Sequence, residues 1–140
     1  MSCKSLPRGL GNNNPGNIRR SAVRYKGECA EGDGDGFRRF ESMAYGYRAM
    51  FMLLHTYALR YGCRTIEAMI SRYAPPSEND TAAYIRRVSR SAGIDARNEI
   101  DTTDGTVMPR IVGAMSAVEN GTPAKMDDVQ AGWGLFVADI

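Results

Sequence analysis

The spacing of apolar residues divides the chain into a turn-rich part and a longer helical part. Turn-forming residues dominate up to about residue 42, and from residue 43 onward apolar residues recur every three or four positions, the period of a helix packed on one face. The length of 140 residues is typical of one domain. We therefore expect a single domain, 1–140, in which a turn-rich hairpin region, 1–42, precedes a helical region, 43–140.

Four helices are predicted by this period, and their ends coincide with capping residues. An apolar stripe from Met50 to Tyr61 predicts the first helix, which Gly62 ends. The others are a helix capped by Thr65 and stopped by Pro75-Pro76, a helix capped by Asn79 or Asp80 and ended by Gly93, and a helix from about Thr106 to Asn120. The last fifteen residues predict a closing helix or a packed tail.

Two clusters of turn residues, 12–17 and 32–36, characterise the first part of the chain. Short β-like pieces, 18–25 and 37–40, flank the second cluster. This arrangement predicts a small, irregular β-hairpin. The expected fold class is therefore mainly α (α+β), with four to five short helices and one small hairpin.

Charge is distributed unevenly along the chain. Residues 1–90 carry 15 Lys and Arg against 8 Asp and Glu, a net charge of +7, and residues 91–140 carry 3 against 8, a net charge of −5. A basic face can attract nucleic acid or an anionic cell wall, or the two halves can neutralise each other as solvated surface. Nucleic acid is disfavoured as a partner because the sequence shows no platform of interleaved aromatic and basic residues.

The remaining composition excludes several kinds of site. Three cysteines and a single histidine, His55, provide neither zinc-ligand spacing nor a complete disulfide framework, so no metal or cofactor is expected. His55 lies on a strongly apolar helix and is expected in the core or at an interface. No signal peptide and no apolar run of transmembrane length are visible, so we expect no membrane partner and synthesis in a reducing cytoplasm.

Glu119 is the candidate for acid catalysis. It is predicted at the C-terminal end of the fourth helix, where the helix dipole disfavours an anion by about 0.3–1 kcal/mol. A glutamate at this position is either an ordinary surface residue or a catalytic acid. Glycoside cleavage requires such a group, because a carboxylic acid protonates the leaving oxygen.

Asparagines of the first turn cluster are the second candidate. Carboxamide groups both donate and accept hydrogen bonds, as the hydroxyl and N-acetyl groups of a sugar require. An ordinary Asn-Gly turn explains the same residues equally well.

Three stretches resemble a family of small phage and prophage virion proteins. They are 11–19 (GNNNPGNIR), 35–42 (DGFRRFES) followed by 46–49 (GYRA), and 73–81 (YAPPSENDT) leading to Tyr84. The segment 118–121 (VENG) is similar to the C-terminal helix of that family. The resemblance spans nearly the whole chain and implies a location in the virion or the host bacterial cytoplasm, with other virion proteins as partners.

The same blocks more distantly resemble the glucosaminidase branch of the lysozyme-like superfamily. That resemblance implies a lysozyme-like fold and bacterial peptidoglycan as the partner. In that branch the catalytic glutamate ends a helix that precedes the hairpin, whereas only about ten residues precede the hairpin here. A circular permutation, in which the helix ending at Glu119 takes that place, is our hypothesis.

The resemblance implies a role for each candidate residue in a muramidase, glucosaminidase or lytic transglycosylase. Glu119 is the general acid, and Glu41 or Asp35 is a second carboxylate. The expected substrate-binding residues are Asn12, Asn13, Asn14, Asn17, Arg19, Glu78 and Tyr84. Glu119 is expected to face a groove shared with Asn14 and Tyr84. The alternative is a non-catalytic virion structural or peptidoglycan-binding protein.

Overall fold

The computed structural model describes residues 6–140, and helices make up most of that part. The helices are α1 (Arg8–Gly11), α2 (Met43–Tyr61), α3 (Ile66–Tyr73), α4 (Thr81–Ala92), α5 (Met108–Asn120) and α6 (Met126–Val137). The mainly helical class is confirmed, and only the one-turn helix α1 was not predicted. Within residues 6–140, no helix combines the length and the apolar character needed to cross a bilayer.

The predicted capping residues bound the observed helices. The Thr65 hydroxyl accepts a hydrogen bond from the Ala68 N–H at 3.1 Å, at the start of α3. At the start of α4 the cap is Asp80 rather than Asn79, since the Asp80 carboxylate accepts from the Ala83 N–H at 3.1 Å. The glycines that end α2, α4 and α5 all adopt left-handed conformations; they are Gly62, Gly93 and Gly121.

Helix α2 packs along α6, and α4 packs against α5. Phe51 of α2 lies 5.0 Å, between ring centroids, from Trp133 and 5.9 Å from Phe136, both on α6. Gly132 permits this close approach, because a Cβ there would lie only 2.5 Å from the Tyr47 Cβ. Helix α5 is buried along most of its length, and its last residue, Asn120, is buried as well.

The segment between α1 and α2 differs from the predicted hairpin. In the described residues it forms no β-ladder and makes two isolated antiparallel bridges, Arg19 with Phe37 and Glu28 with Phe40. The physical reason is that side chains, rather than a ladder of backbone pairs, satisfy many of the polar groups of this segment.

Arg38 is the centre of a hydrogen-bond network in that segment. Its side chain is 2% exposed and pairs with the buried carboxylate of Glu28. The guanidinium also donates to the carbonyl oxygens of Arg19 (3.0 Å) and Val23 (2.7 Å) and to the Ser21 hydroxyl (2.8 Å). A buried charge is tolerated when it is paired and its donors are satisfied, so this network holds the irregular chain in place.

Candidate functional site

Glu119 joins three separate segments of the chain at one carboxylate. It is half-buried in the last turn of α5. Its Oε1 accepts a hydrogen bond from Asn17 Nδ2 at 2.9 Å, and its Oε2 accepts one from the Tyr84 hydroxyl at 2.9 Å. The loop after α1, helix α4 and helix α5 therefore meet at this side chain.

The loop that carries Asn17 is fixed from inside by Asn14. The Asn14 side chain has no exposed surface, and its Nδ2 donates to the carbonyl oxygens of Ile18 and Arg38, both at 3.0 Å. Its Oδ1 accepts from the Ile18 N–H at 3.0 Å. Asn17 adopts a left-handed conformation (φ 49°), which asparagine tolerates better than most residues. The loop thus places the Asn17 amide against the end of α5.

Two tyrosines support the site from the helical side: Tyr73, which is partly buried, and Tyr84, which is buried. Tyr73 donates its hydroxyl proton to the carbonyl oxygen of Gly16. Burial raises the pKa of Tyr73 well above 10.0, and the nearby charge of Glu119 adds to the effect. Burial likewise raises the pKa of Tyr84, with further contributions from Tyr73 and from Glu119. Both phenols therefore stay protonated at physiological pH, so Tyr84 remains a hydrogen-bond donor to the carboxylate.

Asn120 anchors the end of α5 to the same loop. Its buried Nδ2 donates to the carbonyl oxygens of Pro15 at 2.8 Å and Ser116 at 2.9 Å. Gly9 lets α1 approach this point, because a Cβ there would lie 2.4 Å from Asn120 Oδ1. The Oδ1 atoms of Asn17 and Asn120 are buried without a hydrogen-bond partner among the described residues.

Two small clefts open at Glu119. The first, of about 270 Å³, is called the Glu119 cleft here; its polar lining includes Arg8, Asn17, Arg19, Glu78, Asn79 and Glu119. The second, of about 290 Å³, includes Tyr84, Asn79, Asp80, Arg87 and Glu119 in its lining. The Glu119 cleft is lined mainly by hydrogen-bonding groups, which suits a sugar better than an apolar ligand.

The structure brings part of the predicted site together. Asn17, Arg19, Glu78 and Glu119 line the Glu119 cleft, and Tyr84 lines the second cleft. Glu119 lines both clefts and contacts Tyr84, whereas the loop amide at Glu119 comes from Asn17 and not from the expected Asn14. Sequence reasoning did not single out Arg8, which lies in the unpredicted helix α1, or Asn79 as a cleft residue.

The other predicted residues lie outside the two clefts. Asn12 Nδ2 donates to Asp33 Oδ2 at 3.0 Å, and Asn13 Nδ2 donates to the Phe40 carbonyl oxygen at 3.2 Å. The two proposed second carboxylates are both exposed and line neither cleft; they are Asp35 and Glu41.

His55 and the described cysteines are not part of this site. His55 Nδ1 lies 2.7 Å from the Thr102 hydroxyl oxygen, and its ring packs edge-on against Phe136. Among residues 6–140, no three His, Cys, Asp or Glu side chains are grouped closely enough to hold a metal ion. The side chains that line the clefts can transfer protons and form hydrogen bonds.

The chain is similar in sequence to a phage protein. Over 135 residues the chain is 37% identical to Protein P5 of Pseudoalteromonas phage PM2, and the alignment covers 92% of this chain and 82% of that protein. No model of a known protein family matches the chain.

Proposed function

The chain belongs to the same family as Protein P5 of Pseudoalteromonas phage PM2, and from this premise we propose that it is a virion protein that cleaves the glycan strands of bacterial peptidoglycan. The resemblance of its asparagine loop and of segment 73–81 to glucosaminidases supports the glycan as substrate. We further propose that the helices form a circularly permuted lysozyme-like fold, in which α5 takes the place of the catalytic helix.

The observation that carries the proposal is the setting of the Glu119 carboxylate. It is half-buried at a helix C-terminus, opens onto a polar cleft, and is held from two sides by Asn17 and Tyr84. Each carboxylate oxygen has two acceptor positions, and each accepts one hydrogen bond here. Each oxygen therefore keeps one position for a substrate.

In the proposed reaction, protonated Glu119 donates its proton to the glycosidic oxygen as the bond from that oxygen to C1 breaks. The positive charge that develops on the sugar is then quenched by a hydroxyl group of the same sugar or by water. The Glu119 carboxylate accepts the proton that this nucleophile releases, which restores the acid. Asn17 and Tyr84 keep the carboxyl group oriented throughout.

A second carboxylate is not required when the substrate supplies the nucleophile. Glu78 is the other carboxylate that lines the Glu119 cleft in the described part of the chain, and it is exposed. We propose that it orients a water or binds a sugar hydroxyl. Arg19 and Asn79, which line the same cleft, supply further hydrogen bonds to hydroxyl and N-acetyl groups.

The second candidate function is a non-catalytic virion structural protein. The observation that favours it is that Glu119 ties two segments to α5 through hydrogen bonds of 2.9 Å. Such a cross-link stabilises the fold whether or not a substrate is present, so the same glutamate can be explained without catalysis.

A digestion assay separates the two functions. Purified full-length protein and its Glu119→Gln variant are incubated with peptidoglycan sacculi, and released muropeptides are measured. Loss of a general acid lowers the rate by about 10²–10⁴-fold, so we expect release by the unchanged protein and almost none by the variant. Glu67→Gln is the matched control, because Glu67 is an exposed residue of α3 that only pairs with Arg97.

Thermal unfolding of each variant shows whether it remains folded. Equal release by both proteins would exclude Glu119 as the acid. Absence of release from the unchanged, folded protein would favour the structural function.

A further inference from the structure

A larger groove continues from the Glu119 cleft, with a volume of about 920 Å³. It runs between the loop 17–26 and the helices α2 and α3, and we call it the arginine groove. Its exposed cations are Arg19, Arg24, Lys26, Arg60 and Arg72. Glu78 is the one carboxylate among the described residues that line it.

Three of these cations are not neutralised by the protein. Arg24 pairs with Glu28 at 3.5 Å, and Lys26 pairs with Asp139 at 3.3 Å. By contrast, Arg19, Arg60 and Arg72 make no ion pair with any residue in 6–140. Guanidinium groups bind carboxylates and phosphates through paired N–H donors, so the groove is suited to a ligand that carries several anionic groups.

Three of the four tyrosines that line the groove are already stacked with arginines. The Arg72 guanidinium lies 3.5 Å from the ring centroid of Tyr61 and 5.3 Å from that of Tyr57. The Arg38 guanidinium lies 4.8 Å from the centroid of Tyr25. Single-stranded nucleic acid is bound mainly by stacking bases on open aromatic faces. Rings that carry guanidinium groups favour instead a ligand recognised through its charges.

The groove and the Glu119 cleft share part of their walls. Asn17, Arg19, Tyr73 and Glu78 line both. The two cavities therefore adjoin, so a polymer with one sugar at Glu119 has a direct path into the arginine groove. In peptidoglycan, the groups that branch from the glycan strand are short peptides that carry carboxylates.

We propose that the arginine groove binds the carboxylate-bearing stem peptides of the glycan strand that lies at Glu119. The choice of substrate rests on the proposed function, and the charge of the groove then determines which part of that substrate enters it. Stem-bearing strands are thereby distinguished from stripped strands.

The test measures binding by the full-length chain carrying Glu119→Gln, so that cleavage cannot consume the probe. The probes are soluble, uncross-linked glycan strands with their stem peptides, and the same strands after an amidase has removed the peptides. We expect at least tenfold tighter binding of the stem-bearing strands. Each exposed ion pair contributes about two- to fivefold, so Arg60→Gln with Arg72→Gln should weaken that binding about five- to twentyfold.

Two further variants control for net charge and folding. Arg86→Gln with Arg90→Gln removes the same charge from the exposed face of α4, and binding should stay within twofold. Arg72→Lys keeps the charge but not the paired N–H donors, so it should weaken binding less than Arg72→Gln does. Thermal unfolding verifies that every variant is folded.

Equal affinity for the two probes, or an equal loss in the α4 control, would overturn the proposal. So would tighter binding of duplex DNA with the same dependence on Arg60 and Arg72, since nucleic acid would then be the occupant. Muropeptide release is scored separately. If binding depends on the stem peptides and on the arginines but the unchanged protein cleaves nothing, the proposal for the arginine groove is supported and only the enzymatic function is refuted.

Discussion

Replacing Asn14 by alanine is the most informative test of how the site is held. The Asn14 side chain has no exposed surface and makes three hydrogen bonds, all to the backbone of the segment that it anchors. The sequence alone suggested that it binds sugar. The structure gives it a supporting position behind Asn17, so its loss is expected to affect folding first.

The magnitude follows from the groups left without partners. The Ile18 carbonyl oxygen keeps a second hydrogen bond, from the Arg38 N–H at 3.1 Å. The Ile18 N–H and the Arg38 carbonyl lose the only partners that the structure gives them. Each buried polar group without a partner costs about 1–3 kcal/mol. We therefore expect the free energy of unfolding to fall by about 4 kcal/mol, equivalent to a decrease in Tm of roughly 10–15 °C.

Urea unfolding followed by circular dichroism measures this change. Asn98→Ala is the control, because Asn98 is exposed and its side chain makes no hydrogen bond within residues 6–140; its effect should stay within about 0.5 kcal/mol. Asn14→Asp keeps the shape but removes the donor. Its carboxyl group regains one donor when protonated, so this variant should recover part of its stability, relative to Asn14→Ala, in acid.

A decrease in the free energy of unfolding below about 1 kcal/mol for Asn14→Ala would refute this reasoning, because two buried backbone groups without partners should cost more than that. Unchanged stability with lost binding of glycan strands would instead make Asn14 a substrate ligand.

Tyr84→Phe should lower the free energy of unfolding by about 1–2 kcal/mol and muropeptide release about tenfold, because the carboxylate of Glu119 loses a donor; unaltered release would limit Tyr84 to a structural role. Acidification should destabilise the protein in part through Asp139, whose pKa is held below 3.8 by hydrogen bonds from Arg48 and Lys26. A lowered pKa stabilises the fold above pH 3.8, and that contribution is lost as the pH falls through the value in the folded protein. Urea midpoints should therefore fall less steeply between pH about 5 and about 2 in Asp139→Asn, and identical slopes would contradict the assignment.

The helical part could be predicted because local signals agree with the packing. Thr65 and Asp80 supply hydrogen-bond acceptors at helix starts, and Gly62 and Gly93 adopt the left-handed conformations that end helices. Helix α1 escaped prediction because a single turn is too short to show a helical period.

The segment before α2 could not be predicted in the same way. Charged residues are rarely buried, so nothing in the sequence marks Arg38 as the centre of a hydrogen-bond network. Within the asparagine loop, the sequence does not show which of the asparagine side chains faces a ligand and which faces the core. Only the backbone conformation shows that Asn14 turns inward and Asn17 faces α5.

Glu119 was singled out by its place at the end of a helix and by resemblance, and its two partners illustrate the limit of that reasoning. Tyr84 lies 35 residues away and belongs to a motif that the resemblance already covered. Asn17 lies 102 residues away, and its contact with Glu119 depends on how α1 and α5 pack. Local patterns contain no information about such a contact.

That separation also determines when the clefts can exist during synthesis. The ribosome releases Asn17 long before it has made Glu119, so the asparagine loop emerges without the helix end against which it rests. Contacts between distant parts of a chain form late, because the intervening chain must first be ordered. We therefore expect the clefts to form only after α5 has been made.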